Sequence, residues 1–119
     1  MIYYSRLYIH GGELFDMPIY NKLVRDKIPE IIESSDKIPY TRILDNAEYI
    51  TELNRKLDEE CSEFHKDKNV EELADIMEVV YALASAIGSS PDKLEQVRRE
   101  KAEKRGGFEK KIFLERVDD

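Results

Sequence analysis

One cysteine and two histidines in 119 residues remove several chemistries at once. A lone Cys61 cannot close an internal disulfide and fits a reducing compartment. It falls on an apolar helical stripe, where a small core residue is expected rather than a nucleophile. His10 and His65 are far apart in the chain and, with one cysteine, make no zinc set. No Ser–His–Asp pattern is present, and no G-x-x-x-x-G-K loop of the kind that cradles phosphates in P-loop proteins. No apolar run approaches the ~20 residues that span a bilayer. The N-terminus, with Arg6 and no apolar h-region, predicts no signal peptide. A basic excess is missing too: 19 Lys and Arg stand against 26 Asp and Glu, a net charge of −7. That balance argues against a general nucleic-acid or anionic-membrane surface, since phosphate backbones need a basic face. Repeats, low-complexity tracts and linkers are absent as well.

What remains is 41% hydrophobic and 38% charged, a soluble globular composition rich in helix formers; with the lone cysteine, a cytoplasmic location is expected. The length suits one domain able to bury about two-thirds of its unfolded surface. Residues 1–18 read as an N-terminal extension, an added strand or an upstream extension, with a weak alternation over 2–9 that breaks at Gly11-Gly12. His10, beside those glycines, reads as a loop residue. Residues 19–119 form the patterned domain. Pro29 fits the first turn of a short helix carrying Ile31 and Ile32. Asp45 with Glu48 is a capping box opening a helix to about Lys66. Asn69 caps the next helix, which stops at Gly88. Ser90 and Pro91 open a third long helix that reaches Arg105 and ends at Gly106-Gly107. The tail, KKIFLERV, alternates enough for a short strand, paired with residues 2–9.

The stretch from Leu57 to Asp75 organises the rest. It holds two acidic pairs at helical spacing, Glu60/Glu63 and Glu72/Asp75, on either side of a polar break. Both cross-pairings are symmetric about a midpoint between Asp67 and Lys68. An antiparallel helical hairpin turning there sets Glu60 level with Asp75 and Glu63 level with Glu72. Packed helices sit roughly 8–10 Å apart. The apolar stripes are Ile50, Leu53, Leu57, Cys61 and Phe64 on the first helix, and Leu73, Ile76, Val80, Leu83 and Ile87 on the second. Glu60, Glu63, Glu72 and Asp75 flank these stripes, whereas Glu59, Glu71 and Glu78 point away. Two readings are open. Four inward carboxylates make an all-oxygen cage for a hard cation such as Mg²⁺. Alternatively, Lys56, Lys66 or Lys68 pairs with them and they edge a solvated face.

Two basic clusters accompany the acids. Lys22, Arg25 and Lys27 crowd into six residues of an acidic protein, either balancing charge or clamping phosphate. Lys101, Lys104 and Arg105 end the third long helix, where the helix dipole favours cations. They are either a basic last turn or an arm on a Gly-Gly hinge that closes over phosphates. Inward acids with flanking cations suit hydrolysis of a phosphoanhydride: the metal polarises phosphoryl oxygens while a carboxylate orients or deprotonates the attacking water.

Glu59-Glu60-x-x-Glu63 followed by Glu72-x-x-Asp75 resembles the E-E-x-x-E … E-x-x-D signature of the all-α nucleotide pyrophosphohydrolases, the MazG superfamily. YNKLVRDKIPEII and EKAEKRGGF are similar to blocks of a small MazG-like branch, so the resemblance covers about Ile19 to Leu114. It implies an all-α helical bundle of three long helices plus a short N-terminal one. Dimerisation completes a four-helix bundle, with a small β element from the termini. It also implies Mg²⁺-dependent, or Mn²⁺-dependent, cleavage of a nucleoside triphosphate between the α- and β-phosphates, and homodimers or tetramers. By the same resemblance Glu60, Glu63, Glu72 and Asp75 are the metal ligands, and Glu59, Glu60 and Glu63 the catalytic acids. Lys56, Lys101 and Arg105 contact phosphates and Asn54 reads a base or sugar. Lys22, Arg25 and Lys27 belong to the branch's own block and are assigned to substrate. Only eight residues separate Glu63 from Glu72, fewer than in most of the superfamily, which points to a reduced base pocket. Phosphoribosyl-ATP hydrolysis and a non-catalytic helical interaction module are the alternatives.

Overall fold

Each long helix starts at a side-chain cap. In a computed structural model that describes residues 3–10 and 13–119, with side chains from residue 19 onward, the order is β1 Tyr3–His10, β2 Glu13–Ile19, α1 Ile28–Ser34, α2 Asn46–Lys66, α3 Val70–Ala86 and α4 Pro91–Arg105. The Asp45 carboxylate accepts from Glu48 N–H at 2.8 Å, and the Glu48 side chain accepts from Asp45 N–H, closing the expected capping box. Arg42 holds the same Glu48 through both guanidinium nitrogens. Asn69 accepts from Glu72 N–H, and Ser90 from Lys93 N–H, each at 3.0 Å. The end of α3 is a Schellman motif: Gly88 N–H donates to Ser85 and Ser89 N–H to Ala84. Gly88 takes φ +90°, which a side chain would resist.

The helical body is as the sequence implies, but the β element is not. β1 pairs antiparallel with β2, with a register irregularity between Tyr4 and Arg6. No strand forms in the C-terminal tail, so its expected pairing with residues 2–9 is replaced by a local hairpin. A short connection closes at far lower entropic cost than one spanning the chain. His10 is the last residue of β1, opposite Glu13, rather than a loop residue. The expected break at Gly11-Gly12 lies outside the described residues.

α2 packs against α3 as an antiparallel hairpin turning at residues 67–69, and α3 touches α4 only at the opposite end. There the chain turns through 107° from α3 into α4. The core is thin. Among the described residues the buried hydrophobics are Leu53, only 2% exposed, with Val79 and Ala84. The inner stripe of α3 is therefore rotated from the expected one. Ile76, Val80 and Leu83 are half-buried as foreseen, but Leu73 and Ile87 face outward. The reason is that α3 is apolar on two faces. One meets α2. The other, carrying Val70, Leu73, Met77 and Tyr81 at spacings of three and four, is exposed. The Cα radius of gyration is 20.4 Å, against about 13.5 Å for a compact chain of this length. Among the described residues, no single helix is long and apolar enough to cross a membrane.

Candidate functional site

The acidic residues gather at the turn end of the α2–α3 hairpin because their spacing mirrors the turn. Glu60 lies one helical turn beyond Lys56 on α2, and Glu72 and Asp75 share one face of the first turns of α3. Glu60, Glu72 and Asp75 each offer a carboxylate oxygen within 4.8 Å of the other two, and all three are half-buried. Glu60 lies level with Asp75, as the hairpin symmetry requires. Glu63 is not part of this triad, yet its charge reaches Glu72. The Glu72 carboxyl is raised above its ordinary range, first by desolvation and then by the charges of Asp75, Glu63 and Glu60. Like charges have been pushed together there.

Basic side chains arrive from two directions. Lys56 Nζ stands 3.5 Å from Glu59 Oε2 and 3.7 Å from Glu60 Oε1, within α2 itself. From the segment before α1, Arg25 Nη2 donates to Asp75 Oδ1 at 2.6 Å. Lys22 Nζ reaches Glu59 Oε1 at 3.6 Å. Glu59 thus bridges two lysines. Fifty residues of sequence separate Arg25 from Asp75. Nothing in the sequence specified that meeting, although three cations in six residues marked the segment.

Other candidates lie elsewhere. Lys27 is the N-cap residue of α1 and exposed, with no side-chain capping bond. Asn54 is exposed and donates to Ile50 C=O of its own helix at 3.0 Å. Lys101 and Arg105 are exposed on the last turns of α4. That helix begins at the far end of α3, about 16 Å from Asp75 by helical rise alone. So the chain pairs Lys22, Arg25 and Lys56 with the acids, whereas among the described residues Lys27, Asn54, Lys101 and Arg105 make no ion pair or hydrogen bond with them. Of the lysines that offered a merely structural reading, Lys56 pairs with the acids, while Lys68 donates to His65 C=O at 2.8 Å.

The donor set fits a hard divalent cation. All three groups are carboxylates, with no imidazole or thiolate among them. Oxygens on opposite sides of a Mg²⁺ stand about 4.2 Å apart, so a small rotation of these side chains closes the set. The Arg25–Asp75 pair does not forbid it. Its side chains are 55% and 41% exposed, and a solvent-facing pair is worth about 1 kcal/mol or less. A dication facing three carboxylates attracts Asp75 more strongly than one screened guanidinium does.

No known protein family matches the chain, and no solved structure matches it. An uncharacterised protein of Mycolicibacterium smegmatis is 50% identical over 42 residues, which is 35% of this chain and 43% of that protein. The match therefore spans less than half of either chain.

Proposed function

We propose that this chain is a cytoplasmic, Mg²⁺-dependent nucleotide pyrophosphohydrolase of the MazG-like kind, acting on a nucleoside triphosphate and clearing noncanonical nucleotides. The observation that supports it is the convergence of Glu60, Glu72 and Asp75 within 4.8 Å, with Arg25 and Lys56 at its edge. In this reading the three carboxylates hold Mg²⁺ or Mn²⁺, which when bound polarises the phosphoryl oxygens. Glu63, beside Glu72 but outside the triad, orients the attacking water and takes its proton. The water oxygen forms the new P–O bond. The α–β bridging bond breaks, and its electron pair leaves with pyrophosphate. Arg25 and Lys22 pass from their carboxylates to the substrate's phosphates. Glu59 keeps Lys56 and Lys22 beside the site. The exposed second face of α3 associates with that of another copy, completing a four-helix bundle. Lys101 and Arg105 then serve a site only from a neighbouring copy.

The test is a pyrophosphate-release screen over standard, damaged and phosphoribosyl nucleotides, with and without Mg²⁺. Release that needs Mg²⁺, and that Glu63→Gln or Asp75→Asn lowers at least about 100-fold with the helical circular dichroism unchanged, supports the reading. Release confined to the phosphoribosyl substrate would move the assignment to histidine synthesis. A non-catalytic helical module draws on the ion pairs of Arg25 and Lys56 with the same acids. It predicts no release and no Mg²⁺ effect on melting.

A further inference from the structure

The end of the hairpin away from the acids is apolar and open. Where α3 turns through 107° into α4, Val80, Leu83, Ile87, Leu94 and Val97 line a groove of about 320 Å³. The same chain carries a matching load. After α4 stops at Gly106, whose φ of +80° redirects the backbone, Phe108, Ile112, Phe113, Leu114 and Val117 are 73–98% exposed on a segment without regular structure. Its own groove lies open, yet the tail does not fold back into it. The α3–α4 turn instead carries the C-terminal half of α4, and the tail with it, off the chain's own hairpin. A stretch of ten residues spans up to about 33 Å, ample to cross onto a neighbour.

We propose that residues 108–117 of one copy seat in the α3–α4 groove of a second copy, and reciprocally, giving a tail-exchanged dimer with closed two-fold symmetry. A reciprocal exchange doubles every contact. Five large apolar side chains per tail, with the groove walls they cover, remove on the order of 2,000 Å² from water over the two copies. Stable interfaces need about 1,600 Å². Self-docking would bury the same area per chain, but the tail stands clear of its own groove, with Phe108, Ile112, Phe113, Leu114 and Val117 exposed. The exchange goes beyond the bundle contact proposed above and does not depend on the metal reading.

Two experiments on the full chain decide it. In a Cys61→Ser background, Val97→Cys and Phe113→Cys are placed on separate chains, mixed and oxidised, then combined on one chain. Exchange predicts a disulfide-linked heterodimer from the mixture and a covalent dimer from the combined variant. An internal disulfide in a monomer would show self-docking and overturn the proposal, as would no disulfide at all. Sedimentation of the native chain should give twice 14.0 kDa. Phe113→Asp with Ile112→Asp should raise the dimer dissociation constant at least about 100-fold. A dimer that keeps its affinity with the charged tail would sink the exchange while leaving the bundle contact standing. A native chain that is monomeric would sink both.

Discussion

The two ends of the α2–α3 hairpin solve opposite problems. At the turn end, carboxylates crowd, and the chain answers from within: Lys56 from the same helix, Arg25 and Lys22 from the segment before α1. At the elbow end, apolar surface is left open, and none of the described residues covers it. The contrast reflects the reach of the forces involved. Charges on long, flexible side chains find partners several ångströms away across solvent. Apolar surface is covered only by contact at about 4 Å, which needs backbone nearby. An unmet electrostatic demand in one chain is thus cheap to soften, whereas an unmet hydrophobic one points to another chain.

The largest break in this comparison comes from the seam both ends share. Leu53→Ala removes the most buried side chain among the described residues, and truncations of this kind cost about 2–5 kcal/mol. With so thin a core, urea titration should show most of the stability lost, and both the Mg²⁺ response and dimer formation should weaken together.

Next in size are changes confined to the acidic end. The Glu72 pKa is raised in the folded chain, so its contribution to stability is present below the ordinary carboxylate range and lost as pH rises through the raised value. At neutral pH its charge works against the fold. Glu72→Gln should therefore melt higher than the native chain at pH 7 without cation, with the gap closing in acid. On the proposed metal reading Mg²⁺ raises the melting temperature of the native chain, and the same variant should lose most of that rise. In the native chain that rise should shrink as pH falls into the carboxylate range, because protons and cation compete for the same oxygens. A Mg²⁺ response indifferent to both pH and Glu72→Gln would separate the acids from cation binding.

Arg25→Gln sharpens the point. It removes the guanidinium that holds Asp75 at 2.6 Å. If Arg25 passes from Asp75 to substrate, the Mg²⁺-induced melting shift should stay as large or grow, while KM for the triphosphate rises about tenfold, the worth of one charged contact. A smaller Mg²⁺ shift with KM unchanged would make Arg25 a structural strut instead.

How legible all this was in the sequence varies along the chain for physical reasons. Caps are local, so Asp45, Asn69, Ser90, Gly88 and Gly106 announce every long-helix boundary except the end of α2. The level pairing of Glu60 with Asp75 followed from the symmetry of the spacing about the turn. Which face of α3 turns inward does not follow, because a helix apolar on two sides gives the wheel two answers; the stripe puts Leu73 inside, where it stands outside, and passes over the buried Val79. The meeting of Arg25 with Asp75 is a tertiary event that spacing does not encode. The tail's alternation was real but found no strand to pair with, since β1 was already taken by β2.

The smallest effects discriminate best between the two ends. Asn69 caps α3 at the acids, and Ser90 caps α4 at the elbow, each through a 3.0 Å bond to the third residue of its helix. Replacing either by Ala should cost about 1 kcal/mol, so thermal melts alone would not tell them apart. Their couplings should. The residue whose N–H Asn69 accepts is Glu72, so Asn69→Ala loosens the first turn that aims Glu72 and Asp75, and the Mg²⁺ shift should shrink. Ser90→Ala loosens Lys93 and Leu94 on the groove wall instead; it should leave the Mg²⁺ shift intact and weaken self-association. If the two variants moved both readouts alike, the hairpin would be one cooperative unit with no division of labour between its ends.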